Sequence, residues 1–256
     1  FQRTANYTIP AANRPLKPGE LEAVKAQYPK LRALGKNYPT TIPVDPSGPS
    51  ALAVSDEDRE RVYEEWWKDK GLMFQAAFAD LLFVDEANDT VSDFIRNKIH
   101  SIVEDPSIAA TLAPKNPFGC KRMCVDTDYY KTFNRSNVTL VDVSDAPIDR
   151  IVPSGVLVGD TTHDVDAIIF ATGYDAMTGA MAKMHIRGRD GLVLRDKWCK
   201  APSSYLGIAV HGFPNLFTIN GPGSPSALVN MVTGIEHHVD WISDCLKHLR
   251  ETGSST

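Results

Sequence analysis

The stretch Leu216-Phe-Thr-Ile-Asn-Gly-Pro-Gly-Ser-Pro-Ser226 decides the fold class. Leu216 to Asn220 reads as a short buried strand, closed by the tight turn Gly221-Pro-Gly223. From Ser226 to Leu249 the apolar residues Leu228, Met231, Ile235, Val239, Ile242 and Leu246 recur at helical spacing. Ser224 is the expected N-cap, with Pro225 at the first helical position. Strand, Gly-rich turn and helix, in that order, form a nucleotide-edge geometry. The glycines let a ligand approach the backbone, while the helix start offers N–H donors and a partial positive charge. The dinucleotide fingerprint is incomplete, because Ser226 stands where its third glycine would be. No acidic residue ending a second strand follows about 20 positions on. By itself the turn fits a tight loop closing a sheet equally well.

Working outward, Val165-Asp-Ala-Ile-Ile-Phe-Ala-Thr-Gly-Tyr174 reads as a continuous apolar strand. Its carboxyl end, Ala171-Thr-Gly173, is where ligands bind in open α/β sheets. Val138 to Val143 and Val156 to Val158 read as further strands, with Pro153-Ser-Gly155 as a hairpin-type turn. Upstream, Pro18 to Phe118 has a helical texture. Leu21, Val24, Tyr28, Leu31 and Leu34 follow one stripe across Pro29, and a Pro-rich loop follows from Pro39 to Pro49. Ser55 caps a helix whose first turn is Asp56-Glu-Asp58, with Val62, Tyr63, Trp66 and Trp67 as its core face. Two more helices are expected over Phe74 to Phe83 and Thr90 to Val103. The order predicts an α/β protein with a helical insertion, and a boundary near residue 117.

Composition bounds the function. With 43% hydrophobic and 23% charged residues, the 256-residue chain is an ordinary globular sequence. A formal charge of −5 gives no broad electrostatic case for nucleic acid or an anionic membrane. No apolar run approaches the roughly 20 residues that cross a bilayer. Cys120, Cys124, Cys199 and Cys245 lack framework or zinc-ligand spacing. They are read as reduced, mostly buried thiols of a cytoplasmic protein, with no metal. The chain opens at Phe1 without a Met and is expected to be a piece of something longer.

Several motifs together resemble a known family. Asn116-Pro-Phe-Gly-Cys-Lys-Arg-Met123 and Asp128-Tyr-Tyr-Lys-Thr-Phe-Asn134 are similar to segments of flavin-dependent Baeyer–Villiger monooxygenases. Phe1-Gln-Arg-Thr4, Asp93-Phe-Ile-Arg-Asn-Lys-Ile99, Gly212-Phe-Pro-Asn-Leu216 and Gly221-Pro-Gly-Ser-Pro-Ser-Ala-Leu228 match the same family in its order. The resemblance runs from Phe1 to about Arg250, and is strongest to cyclohexanone and phenylacetone monooxygenase-like enzymes.

The resemblance implies part of a two-dinucleotide-binding, FAD/NADP Rossmann-like flavoprotein that uses NADPH and O2. Such enzymes convert a small-molecule ketone to an ester or lactone through a peroxyflavin. It implies that 1–117 holds the end of an NADP-domain strand plus the helical insertion. It further implies that 118–175 returns through the NADP domain and links to the FAD domain, and that 176–256 is the later FAD domain with its closing helix. Arg122 matches the catalytic arginine. A guanidinium suits that role because it stays cationic and donates two hydrogen bonds to an oxyanion. Lys121 and Arg3, with Thr4 beside them, match the groups that hold the 2′-phosphate of NADP. Thr172 and Gly173 match the nucleotide-facing strand end, and Asn230 and Met231 the helix start at the flavin edge. Ser226, Ala227 and Leu228 match the substrate-pocket loop.

The departures are specific. No GxGxxG is present, and the family's Phe-x-Gly-x-x-x-His-x-x-x-Trp-Pro fingerprint is absent. These features imply that an N-terminal portion of the same protein is missing and that this chain alone is inactive. Two alternatives stand beside the ketone oxygenase: a non-catalytic fragment or binding module of the fold, and a flavin monooxygenase that oxidises nitrogen or sulfur. The Pro-Phe-Gly-x-Lys-Arg segment argues against the latter.

Overall fold

The structure is a computed structural model that describes residues 1–38, 41, 48–175, 178–224 and 229–254. In chain order, the first elements are β1 (Thr8–Pro10), α1 (Glu20–Ala26), α2 (Tyr28–Gly35), α3 (Asp56–Asp69), α4 (Asp85–Ile102) and α5 (Pro106–Leu112). Then come β2 (Cys124–Asp126), α6 (Tyr129–Thr132), β3 (Ile148–Val152), β4 (Gly155–Val158) and β5 (Thr161–Asp164). The chain ends with α7 (Gly179–Ala182), α8 (Leu194–Lys197) and α9 (Met231–Thr252). Contacts divide it into two units, one of Phe1–Lys17 with Val44–Ile169, the other of Pro18–Pro43 with Phe170–Thr256.

The first unit is built around α4. Its residues Ala87, Val91, Phe94, Ile95 and Ile99 are buried at helical spacing. Phe74 lies against Tyr63, Trp67, Phe94 and Phe118, all with ring centroids within 6.3 Å. Trp66 and Trp67 pack on this core, as their helical spacing predicts. Ser55 caps α3 by accepting the Asp58 N–H at 3.1 Å. Helix α4 begins earlier than expected, with Asp85 and Glu86 meeting the positive end of its dipole. Helix α5 is capped by Asp105, which accepts from Ser107 N at 2.8 Å and Ile108 N at 3.2 Å, with Pro106 next.

The helix expected over Phe74 to Phe83 is instead a 3-10 turn, Gly71–Ala76, followed by further turns. The Ala79 N–H, which an α-helix would give to residue 75, goes to Pro49 O at 3.1 Å. Asp80 accepts from Ala51 N at 2.9 Å and from the Ser50 hydroxyl. The incoming loop outcompetes the helix.

Two small sheets complete this unit. Strands β1 and β2 pair in parallel, Thr8 opposite Cys124. Strands β3, β4 and β5 form an antiparallel meander, and Pro153-Ser154 is the two-residue turn between β3 and β4. The expected strand at Val138–Val143 reduces to one parallel bridge, Gln2 with Asp142. The expected strand at Val165–Thr172 does not form: Val165 N–H reaches Ser154 O at 3.0 Å, and no strand is assigned beyond it. Ile169 stands 92% exposed. A strand exists only where a neighbour completes its ladder, and among the described residues this segment has none.

In the second unit Leu194, Trp198, Val210 and Phe213 form the core, with Met181, Ile186 and Leu216 against it. The stripe across Pro29 breaks at Gln27 into α1 and α2, because proline fits the first turn of a helix but not its interior. Leu21, Val24, Tyr28, Leu31 and Leu34 remain exposed. The expected strand Leu216–Asn220 keeps a single bridge, Phe217 with Ala209. The closing helix starts later than its stripe suggests. Its N-cap is Asn230, whose side chain accepts from Val232 N at 3.1 Å, rather than Ser224. Gly253, with φ 64°, ends it in the left-handed conformation that glycine tolerates.

Replacing Phe74 by Ala is expected to lower the unfolding free energy by about 3–5 kcal/mol, and Ser55→Ala by about 1 kcal/mol. Urea titrations followed by circular dichroism measure both, and equal effects would contradict this hierarchy.

Candidate functional site

Lys121 and Arg122 lie on the turn that leads from Phe118 into β2. Phe118 is buried, and its backbone is gripped by one side chain. Asn88, on α4 and 7% exposed, donates from Nδ2 to Phe118 O at 2.8 Å and to Leu81 O at 2.7 Å. Its Oδ1 accepts the Phe118 N–H at 2.9 Å and the Ser92 hydroxyl at 3.1 Å. Ser92, 1% exposed, also accepts the Phe118 N–H, at 3.2 Å. The residue after Phe118 must then turn back, and Gly119 does so at φ 83°. Upstream, Asn116 O accepts the Tyr7 hydroxyl at 2.7 Å, and Pro114 O accepts Arg96 Nε at 2.9 Å.

The parallel pairing of β1 and β2 brings two distant pieces of backbone side by side. Asn6 Nδ2 donates to Arg122 O at 3.0 Å, and Cys124 N–H to Tyr7 O at 3.2 Å. Arg3 and Thr4, exposed, precede Asn6 on the same incoming segment. Lys121 and Arg122 are exposed as well. Just beyond, Tyr130 accepts the Thr8 N–H at 3.3 Å, and burial pushes its phenol up to about 12.

In the second unit, Thr172 and Gly173 are exposed, and Gly173 has φ 80° with nothing within 4 Å of where a Cβ would lie. Asn230 caps α9 and gives its own N–H to Thr41 Oγ1 at 3.1 Å. Two N–H groups at the helix start are thus satisfied within the chain, those of Asn230 and Val232. Met231 follows and is exposed. Ser226, Ala227 and Leu228 lie outside the described residues. The Gly-rich turn packs tightly on its neighbour, with Gly221 N–H donating to Gly207 O at 3.0 Å.

Two cavities lie elsewhere. A cleft of about 1130 Å³ in the second unit is lined by Tyr205, His211, Phe217, Trp241 and Cys245 among others. A smaller one in the first unit, about 330 Å³, is lined by Trp67, Asp126, Tyr130 and neighbours. Among the described residues, Arg3, Thr4, Lys121, Arg122, Thr172, Gly173, Asn230 and Met231 line neither cavity. Cys120, Cys124 and Cys199 are exposed rather than buried, because they stand on turns and on a short strand pair.

No family model matches the chain. It is 39% identical to a Baeyer–Villiger monooxygenase of Pseudooceanicola batsensis over 99% of its own length and 46% of that protein. A solved OTEMO structure in complex with FAD and NADP superimposes with a TM-score of 0.93 at 37% identity, over 98% of this chain and 48% of that one. Over nearly its whole length the chain is similar to Baeyer–Villiger monooxygenases. It is also 38% identical to phenazine N-monooxygenase PhzNO1 of Lysobacter antibioticus, over 96% of this chain and 46% of that protein. The chain spans about half the length of the curated relatives it matches. The fold class is the expected one, an α/β portion of an FAD/NADP-type flavoprotein with helices inserted.

Asn88→Asp keeps an acceptor for the Phe118 N–H but loses both donated bonds. It is expected to cost about 1–3 kcal/mol and to open residues 116–124 to limited proteolysis. Resistance equal to the parent chain would show that the turn is held without Asn88.

Proposed function

We propose that this chain contributes the Lys121–Arg122 turn to an FAD-containing, NADPH-dependent Baeyer–Villiger monooxygenase that acts in the cytoplasm. The reaction is ketone plus O2, NADPH and a proton to ester or lactone, NADP⁺ and water. The observation that carries this reading is the parallel β1–β2 pairing. It sets the Arg3–Thr4 approach beside the Lys121–Arg122 turn, with Arg122's carbonyl held by Asn6 at 3.0 Å.

The residues present fit the cofactors. Arg3, Thr4 and Lys121 are exposed cations and a hydroxyl on converging segments, a suitable donor set for the 2′-phosphate of NADP. At the Gly-rich turn, Ser224 Oγ is buried without a hydrogen-bond partner among the described residues, and Gly223 has φ 85°. An orphaned hydroxyl of this kind calls for a ligand. Bound FAD would supply the passage of electrons from NADPH to O2. Thr172, Gly173, Asn230 and Met231 would face the nucleotide, and Ser226, Ala227 and Leu228 would border the ketone.

Arg122 would donate to the oxyanion formed when the carbonyl is attacked, stabilising charge that develops only as the reaction proceeds. The positioning of its backbone by Asn6, and of the turn by Asn88, fixes where that donor stands. In this reading 1–117 carries the end of an NADP-domain strand and the helical insertion, 118–175 the return and linker, and 176–256 the later FAD domain. A second reading has the oxygen accepted by a nitrogen lone pair, and the likeness to the phenazine N-monooxygenase favours it.

In a polypeptide of the relatives' length that carries this chain, Arg122→Ala is expected to cut ester formation at least about a hundredfold, while NADPH still reduces the flavin. Undiminished ester formation, or a loss fully explained by slower flavin reduction, would refute the role. Lys121→Ala is expected to raise KM for NADPH about tenfold and leave NADH unaffected. Steady-state kinetics with both nucleotides decide it, and equal effects would remove Lys121 from the phosphate site.

A further inference from the structure

Asn220 stands at the entrance of the Gly221–Ser224 turn with φ 51°, in the left-handed region where non-glycine residues are uncommon. Two hydrogen bonds to α9 keep it there. Its backbone N–H donates to His238 Nδ1 at 3.0 Å, and its Nδ2 donates to Met231 O at 3.3 Å. The approach is close, since a Cβ on Gly234 would lie 3.0 Å from Asn220 Oδ1. His238 is 5% exposed and is the buried residue of α9. An amphipathic helix ordinarily buries an aliphatic side chain at such a position. A buried imidazole in its place asks for a polar reason, and the Asn220 N–H supplies it.

An Nδ1 that accepts a hydrogen bond belongs to a neutral ring with its proton on Nε2. The imidazolium carries protons on both nitrogens, so protonation would point Nδ1–H at the Asn220 N–H. We propose that His238 is a positioning residue: its unprotonated Nδ1 latches Asn220, and with it the Gly221–Ser224 turn, and protonation opens the latch. Its bearing on catalysis rests on the cofactor role proposed for that turn, whereas the latch itself does not.

Besides His238, the charged and titratable groups of α9 are Glu236, His237, Asp240, Asp244, Cys245, Lys247, His248, Arg250 and Glu251, of which His237 adjoins His238 and Glu236 pairs with Arg32 of α2 at 2.6 Å. The 204–207 turn brings Tyr205, which packs against Trp241, and residues 216–221 carry none. Burial, and then the neighbouring His237, hold His238 below the ordinary imidazole value. A depressed pKa means that the unfolded chain binds the proton more readily. The latch's stabilisation is therefore fully present above the ordinary value of about 6.5 and is lost as pH falls through the lower folded value.

The test is amide hydrogen exchange of this chain followed by NMR, read as a protection factor so that intrinsic pH effects cancel. Protection at Asn220 is expected to fall about tenfold between about pH 7.5 and about pH 5. Thr218, whose N–H goes to Ile208 O at 2.7 Å, should stay protected throughout. His238→Asn places an oxygen near the Nδ1 position and should give a pH-independent latch. His238→Gln reaches the Nε2 position instead, and should leave Asn220 weakly protected at both pH values. Flat protection at Asn220 in the parent chain, or parent-like protection in His238→Gln, would overturn the proposal. The parent titration needs no variant to fold. A polypeptide of the relatives' length that shows it but binds no flavin keeps the latch and removes the cofactor reading of the turn. A flavin-binding protein with a flat Asn220 does the reverse.

Discussion

One buried carboxamide sets the geometry of the first unit. Asn88 closes on both the N–H and the C=O of Phe118, at 2.9 and 2.8 Å, and both bonds are buried. An unsatisfied buried backbone group costs about 1–3 kcal/mol, so the turn has one comfortable position. Everything after Phe118 inherits it: the reversal at Gly119, the Lys121–Arg122 pair, and the entry into β2 beside β1. Phe118 itself belongs to the buried aromatic cluster with Tyr63, Phe74 and Phe94.

What the sequence made legible was local. Ser55 with three acidic residues behind it announces α3, because a cap and a helix dipole act within one turn of the chain. The stripe from Val91 to Ile99 announces α4, and Pro153-Ser154 its hairpin. The failures depend on partners distant in sequence. Phe74, Phe78 and Leu81 are spaced as in a helix and are buried, yet Pro49 takes the Ala79 N–H. Val165 to Thr172 has every strand-forming side chain, but strand formation also needs a ladder that the described residues do not provide.

The site divides along the same line. Lys121, Arg122, Arg3 and Thr4 could be selected from motif order, and the β1–β2 pairing brings their two segments together. Asn6, Asn88 and Ser92 could not be selected by chemistry, since none is a nucleophile or a charged group. A signal existed nonetheless: Asn88 and Ser92 are two polar residues four apart on the apolar stripe of α4. Polar side chains at that spacing on a buried face are there to bond something. His238, alone buried on α9, carries the same signal.

Likeness to relatives about twice as long and these positioning bonds support the proposal that the Lys121–Arg122 turn serves an enzyme that inserts an atom of O2 next to a carbonyl. The most direct measurement is turnover of a ketone by the relative-length protein with NADPH and isotopically labelled O2, the product being weighed by mass spectrometry. The account predicts one labelled oxygen in each ester and one NADPH consumed per ester. Ester carrying only unlabelled oxygen, or NADPH consumption that yields hydrogen peroxide and no ester, would contradict it.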